Sequence, residues 1–301
     1  MVEPALPDRP GALPGEPQLR AFAGVAAQLL AERLPRAPGA QGLTRRAGVG
    51  LQHLDHRDYV PGDEVRHIDW RQSARAQRPI MRQFEAESVS DWHLVLDASS
   101  SMAALDAAHW QAARCMAAGL AYALLQAGHR VGLVVVGARV LAQCPRGRGQ
   151  HHYAALARLL ASLQPAPRGE RTELGACGRH LHGASSVFVL SDFLSDGGVQ
   201  RDLTALLQQG AALHAVQLRS ADETRLALRG ELDLLDMETG QRRPAWVDEA
   251  ALAGAAGERQ AQAERLRAFC ARSGIAFTDW DTAHAWQRTL LDHLLRARRH
   301  L

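Results

Sequence analysis

The chain has 301 residues, 47% of them hydrophobic, which allows one large domain or two modest ones with a real core. Its formal net charge is only +3, so charge balance does not point to nucleic acid. Every basic residue counted as Lys or Arg is an arginine, which excludes a P-loop lysine, a Schiff-base lysine and a kinase-type lysine together.

In chain order, residues 1 to about 17 are rich in Pro and Gly and are expected to be loosely attached. Met1-Val-Glu-Pro4 lacks the basic-then-apolar pattern of a secretory signal. Gln18 to Leu34 predicts a helix stopped by Pro35 and Pro38. A polar segment follows from Gly48 to Glu87. It contains Arg57-Asp-Tyr59-Val-Pro61-Gly62-Asp63-Glu-Val-Arg66-His-Ile68-Asp69-Trp70 and then Ser73-Ala74-Arg75. Closely mixed charges there suit a network of Arg–carboxylate pairs better than a basic binding face. Pro79 to Glu87 reads as a strand leading into the next domain.

From Asp91 the pattern alternates. Trp92–Leu96 predicts a strand, Ala104 to Gln126 an Ala-rich helix, and Arg130–Gly137 a buried strand with Arg139–Gln143 as its hairpin partner. His152–Leu163 is helical. A Pro/Gly/Arg loop delivers Thr172 to a short helix, about Glu173 to Leu181. Val187–Leu190 is a strand, Gly197-Gly198 opens a helix that ends at Gly210, and Ala212–Leu218 is another strand. Such alternation predicts an α/β fold, a doubly wound, mostly parallel sheet flanked by helices. After Arg219 the rhythm changes to a hairpin (Leu226 to Val247, turning at Glu238-Thr-Gly240). A charged amphipathic helix (Asp248 to Ser273), a strand (Ile275–Trp280) and a helix (Ala283 to Arg298) close the chain. Organisation is expected as 1–44, leader and helix; 45–90, a segment packed on the sheet domain; 91–220, the sheet domain; and 221–301, an extension completing it.

Two apolar runs end abruptly in acids and hydroxyls: Trp92 to Leu96 before Asp97-Ala-Ser99-Ser-Ser101, and Val187 to Leu190 before Ser191-Asp192. Buried parallel strands end this way, and open α/β sheets bind ligands beyond those ends. Alternate side chains Asp97, Ser99 and Ser101 can face one point. Asp192 ends the adjacent strand, and Thr172 comes from a third loop. These donors are all oxygen, which selects a hard cation: Mg²⁺, or Mn²⁺ or Ca²⁺ in its place. With so few carboxylates the ion keeps an open position for a carboxylate of another protein. Asp97 and Thr172 could singly be helix caps, but their joint occurrence after apolar strands favours the metal.

Other motifs are weaker. The scattered Cys115, Cys144, Cys177 and Cys270 have no C-x-x-C spacing, so four reduced thiols are expected rather than a zinc site. His151, His152, His180 and His182 read as surface histidines. Gly147-Arg-Gly149 lacks a following Lys, so it is no nucleotide loop. Ser99 and Ser101 have no neighbouring base to make either a nucleophile. Met102, Trp110, Met116 and Tyr122 read as packing residues. No stretch reaches the roughly 18 to 20 apolar residues that span a bilayer. The expectation is a cytoplasmic protein with no membrane span.

Asp97-x-Ser99-x-Ser101, Thr172 and Asp192 resemble the metal-ion-dependent adhesion site of von Willebrand factor type A domains. The run Arg57-x-Tyr59-x-Pro61-Gly62-Asp63-x-x-Arg66-x-Ile68-Asp69-Trp70-x-x-x-Ala74-Arg75 resembles the signature of a bacterial family, domain of unknown function 58. That family places the signature before a type A-like domain. The resemblance covers roughly residues 45 to 300, including Asp222-Glu223 and Asp236-x-Glu238-Thr-Gly240. It implies a von Willebrand factor A or Rossmann-like sheet domain at 91–220. It also implies a partner, an AAA+ ATPase of the MoxR type, for which such proteins act as adaptors or co-chaperones. The expected function is therefore a non-enzymatic, divalent-metal-dependent interaction module that serves that ATPase and a client. Arg57, Tyr59, Asp63, Arg66, Asp69, Trp70 and Arg75 would either pin the signature segment or dock a partner. A metal-dependent phosphoester hydrolase and an RNA-binding module are the alternatives; the first lacks a nameable base and the second is opposed by the mixed charges.

Overall fold

In the computed structural model the described residues are 12–31, 53–59, 68–84, 89–104, 107–166, 172–194, 198–220, 229–236 and 240–299. They fall into two compact units, Gln41–Val89 and the remainder, Met1–Ala40 with Ser90–Leu301. The first helix, α1 (Glu16–Ala31), belongs to the larger unit. Leu19, Phe22, Ala26 and Leu30 recur on one of its faces and are buried, the stripe expected of a helix lying on a core.

The smaller unit contains β1 (His53–Asp58), α2 (Trp70–Ala76) and β2 (Ile80–Phe84). β1 and β2 are antiparallel, with Asp58 opposite Ile80. Helix α2 starts because Asp69 accepts the backbone N–H groups of Arg71 and Gln72 at 3.1 Å. It stops at Gln77, which adopts φ +53°. Ser73 Oγ accepts the Ile80 N–H at 2.8 Å, fastening α2 to β2.

The larger unit continues with β3 (Asp91–Asp97), α3 (Ser101–Ala104), α4 (Ala107–Gln126), β4 (Arg130–Val136), β5 (Val140–Gly147) and α5 (Gly149–Ser162). A 3-10 turn (Leu174–His180) precedes β6 (Ser186–Ser191), α6 (Val199–Leu207) and β7 (Ala212–Arg219). Then come β8 (Gly230–Leu235), β9 (Arg242–Val247), α7 (Glu249–Arg272), β10 (Ala276–Asp281) and α8 (Trp286–Arg299). Six strands form one sheet in the order β10-β7-β6-β3-β4-β5. All neighbours are parallel except β4 and β5, the expected hairpin pair. The expectation of an α/β fold with a mostly parallel sheet flanked by helices is met. The helix expected from about Ala104 to Gln126 is α4, which starts at Ala107, and the short α3 lies directly after the Asp97 loop.

Period-two alternation sends Trp92, Leu94 and Leu96 of β3 to one face and Val95 to the other. The first face is covered by α1, α4, α5 and α8, where Phe22 and Trp286 lie 4.9 Å apart between ring centroids. The second carries the 3-10 turn, α6 and the C-terminal half of α7, through Leu174, Leu203 and Leu266. From β3 the chain steps to β4 on one side and later to β6 on the other. Strand order therefore reverses at β3, and a crevice opens beyond the carboxyl ends of β3 and β6. β8 and β9 pair only with each other, and Leu234 and Trp246 stand exposed on them. No helix among the described residues is long and apolar enough to cross a membrane.

Candidate metal centre

Parallel pairing sets Leu96 opposite Leu190, so the next residues, Asp97 and Ser191, emerge side by side at the strand ends. Loop one is then fixed by backbone bonds. Ala98 donates its N–H to the Val136 carbonyl at 2.8 Å, and its own carbonyl accepts the Ala166 N–H at 2.6 Å. The Thr172 loop is drawn to the same rim because the Glu173 N–H donates to the Gly137 carbonyl at 2.9 Å.

Asp97, Ser99, Ser101, Thr172 and Asp192 all line one small cleft, together with Ser191 and the apolar Leu174, Phe193, Leu194 and Val199. The cleft has room for about one water- or ion-sized occupant. Asp97 is buried and sits at its floor. Its Oδ1 accepts the Ser99 N–H at 2.9 Å and the Thr172 hydroxyl at 3.1 Å; its Oδ2 accepts the Ser191 hydroxyl at 2.6 Å. Ser99 Oγ and Ser101 Oγ are hydrogen-bonded at 2.9 Å. Asp192 Oδ1 accepts the Leu194 N–H at 3.1 Å.

Neither residue is occupied as a helix cap. Asp97 closes a turn onto Ser99, two residues on, and the 3-10 turn has Glu173 as its N-cap, with no side-chain bond. Burial pushes the Asp97 carboxyl above the usual range, against the opposing hydrogen bonds from Ser191, Ser99 and Thr172. A carboxylate held in a dry place beside hydroxyls and a second carboxylate gains from a cation. Among the described residues no group of three or more His, Cys, Asp and Glu is placed to hold a metal ion; what this cleft offers is two carboxylates with hydroxyl groups beside them.

Ser191 was not among the sequence candidates. Its signal was present: aligning the polar ends of the two apolar runs places it beside Asp97. Of the four histidines read as surface residues, His152 and His180 are half-buried. His151 and His182 are exposed, and His152 Nε2 lies 2.6 Å from the Val131 carbonyl oxygen. Met102, Trp110, Met116 and Tyr122 are buried.

Of the signature residues, Asp69 is buried and caps α2. The Tyr59 N–H donates to the Pro79 carbonyl at 3.0 Å. Arg75 is exposed in the last turn of α2, and Trp70 is 67% exposed. Arg57 lies in β1, opposite Met81. Asp63 and Arg66 lie outside the described residues, as does the Arg57 side chain.

The sequence model of the family described as "Protein of unknown function DUF58" matches residues 55–265. The chain belongs to the DUF58 family. This DUF58 chain is similar to the "uncharacterized protein Rv1480" of Mycobacterium tuberculosis, at 29% identity over 209 residues. The same figures hold for the "uncharacterized protein Mb1516" of Mycobacterium bovis. The match takes in 67% of this chain and spans 66% of the length of each relative. Among solved structures, it is distantly similar to BatB from Bacteroides thetaiotaomicron, with a TM-score of 0.43 and 15% identity over 70% of this chain and 100% of that one. An aerotolerance-related membrane protein from Bacteroides fragilis gives a TM-score of 0.40 and 16% identity, over 69% of this chain and 100% of that one.

Proposed function

We propose that the crevice is a Mg²⁺-dependent docking site of the von Willebrand factor A type, and that the protein works without catalysis. It serves as an adaptor or co-chaperone for an AAA+ ATPase of the MoxR type in the cytoplasm. One observation carries this reading: five oxygen donors from three separate stretches of chain line a single ion-sized cleft. The donor set fits a hard cation, since it offers carboxylate and hydroxyl oxygens in a site partly walled by apolar side chains. Asp97, Ser99, Ser101, Thr172 and Asp192 would hold the ion. When bound, it supplies concentrated positive charge for a carboxylate of the partner. Ser191 keeps Asp97 oriented, and Leu174, Leu194 and Val199 limit water around the contact.

The test has two steps. Calorimetric titration with Mg²⁺ and Mn²⁺ should show one site in the wild type and none in Asp97→Ala. Capture from native lysate should then recover an AAA+ ATPase in Mg²⁺ but not in EDTA, and not with Asp97→Ala. Capture indifferent to both changes would reject the reading.

A further inference from the structure

Phe193 directly follows the last acidic donor and adopts φ +52°. A bulky aromatic in the left-handed region is a genuine outlier, and such strain survives only where its surroundings over-determine it. Here they do. Ser191 Oγ accepts the Phe193 N–H at 2.9 Å while donating to Asp97. Gln262 Nε2, from α7, donates to the Phe193 carbonyl at 3.2 Å. Gln217 Nε2, from β7, donates to the preceding Asp192 carbonyl at 3.1 Å. The Phe193 ring is buried in the cluster of Leu174, Val199, Leu203 and Leu266.

Gln217 is a poor choice for stability alone. It is buried, and its Oε1 has no hydrogen-bond partner among the described residues. A buried acceptor without a protein partner is costly, and an apolar side chain of similar shape would avoid that cost. What Gln217 accomplishes is to place an N–H donor on the loop that carries Asp192. Gln262 does the same one peptide further on.

We infer that Gln217 and Gln262 are positioning residues: gripping consecutive carbonyls, they hold the Asp192–Phe193 turn and thereby preset the Asp192 carboxylate for the ion. This rests on the metal reading above. The physical basis is preorganisation, since a ligand held in place before binding loses little freedom when the ion arrives.

The test compares Mg²⁺ affinity with stability in EDTA. Gln262→Leu removes a donor at a half-buried position, and Gln262→Lys keeps one. Gln217→Met removes a donor and the unpartnered acceptor together. Calorimetry should show Mg²⁺ bound about tenfold more weakly by Gln262→Leu and Gln217→Met. Gln262→Lys should stay near the wild-type value, and melting in EDTA should drop only slightly for Gln262→Leu, as for the loss of one half-buried hydrogen bond. Should Gln217→Met fail to fold, the Gln262 pair decides. Wild-type affinity in Gln262→Leu, with a wild type that binds, would overturn the positioning role and leave the metal site standing. A wild type that binds neither Mg²⁺ nor Mn²⁺ would remove the metal reading, and the positioning role with it.

Discussion

At the scale of single residues, Asp97 is electrostatically expensive. Its carboxyl is raised because burial penalises the charge. With no ion bound, its contribution to stability is therefore complete at low pH and is lost as pH rises through the folded-state value. Asp97→Asn should accordingly melt higher than the wild type in EDTA at neutral pH while losing the stabilisation that Mg²⁺ confers; scanning calorimetry with and without Mg²⁺ reads both. Because proton and ion compete for one carboxylate, Mg²⁺ affinity should fall as pH is lowered through the same window. Ser191→Ala strips the 2.6 Å donor from a buried carboxylate and should cost about 1–3 kcal/mol in urea denaturation. That Asp97, Ser99, Ser101 and Asp192 meet at one cleft was legible because they end apolar runs, whereas Thr172 comes from a Pro/Gly/Arg loop. Ser191 needed the register between two strands that lie 94 positions apart in the chain, which periodicity alone does not supply.

At the scale of elements, close helix contact is most demanding at Gly119 on α4. A Cβ built there would overlap the Trp286 ring of α8. Overpacking of this kind typically costs about 1–3 kcal/mol, occasionally more. Gly119→Ala should lower the denaturation midpoint by that measure, and Gly119→Ala/Trp286→Leu should recover part of the loss. Elements that pack on the core announced themselves. β3, β4, β6 and β7 read as strands, and α7 reads as a helix from its cap at Asp248, whose carboxylate accepts the Ala251 N–H at 2.7 Å. β1 and α2 did not. His53-Leu-Asp-His-Arg-Asp58 has one apolar residue and no alternation, and it becomes a strand by pairing with β2. The seven residues of α2 are too few for a periodic signal, and Asp69, read from the sequence only as a member of a charged network, turns out to be its cap.

At the scale of the whole molecule, acid should be the main threat. His93 and His214 are held neutral by burial, each lowered to about 4, and His293 lies well below its ordinary value. His214 Nδ1 and His293 Nε2 are 3.0 Å apart, and His293 Nδ1 is 2.9 Å from Thr278 Oγ1, joining β7, α8 and β10. Nearby Arg296 further opposes a charge on His293. Unfolding frees all three imidazoles to bind protons below about 6.5. Stability should therefore drain away as pH falls from about 6.5 to about 4, by an amount on the order of 3 kcal/mol for each of His93 and His214. Asp97 opposes the trend, one group against three. Urea midpoints measured from pH 7.5 to 4.5 should fall with a slope of more than one proton, and His214→Phe/His293→Leu should flatten it. None of this chemistry was visible in the sequence, where a histidine inside an apolar strand carries no sign of what faces it.

The placement of α8 also bears on how the protein is made. Trp286, Leu290 and Leu294 belong to the same buried cluster as Phe22, Trp92 and Phe188, yet they are translated long after those residues. Until about residue 294 has left the ribosome, the surfaces of α1, α4 and β10 that α8 covers stay bare. The growing polypeptide therefore presents a sticky surface through most of its synthesis. Chains stalled before Trp286 should be retained by general chaperones or aggregate, whereas chains held on the ribosome through an added C-terminal linker, so that residue 299 has emerged, should resist protease.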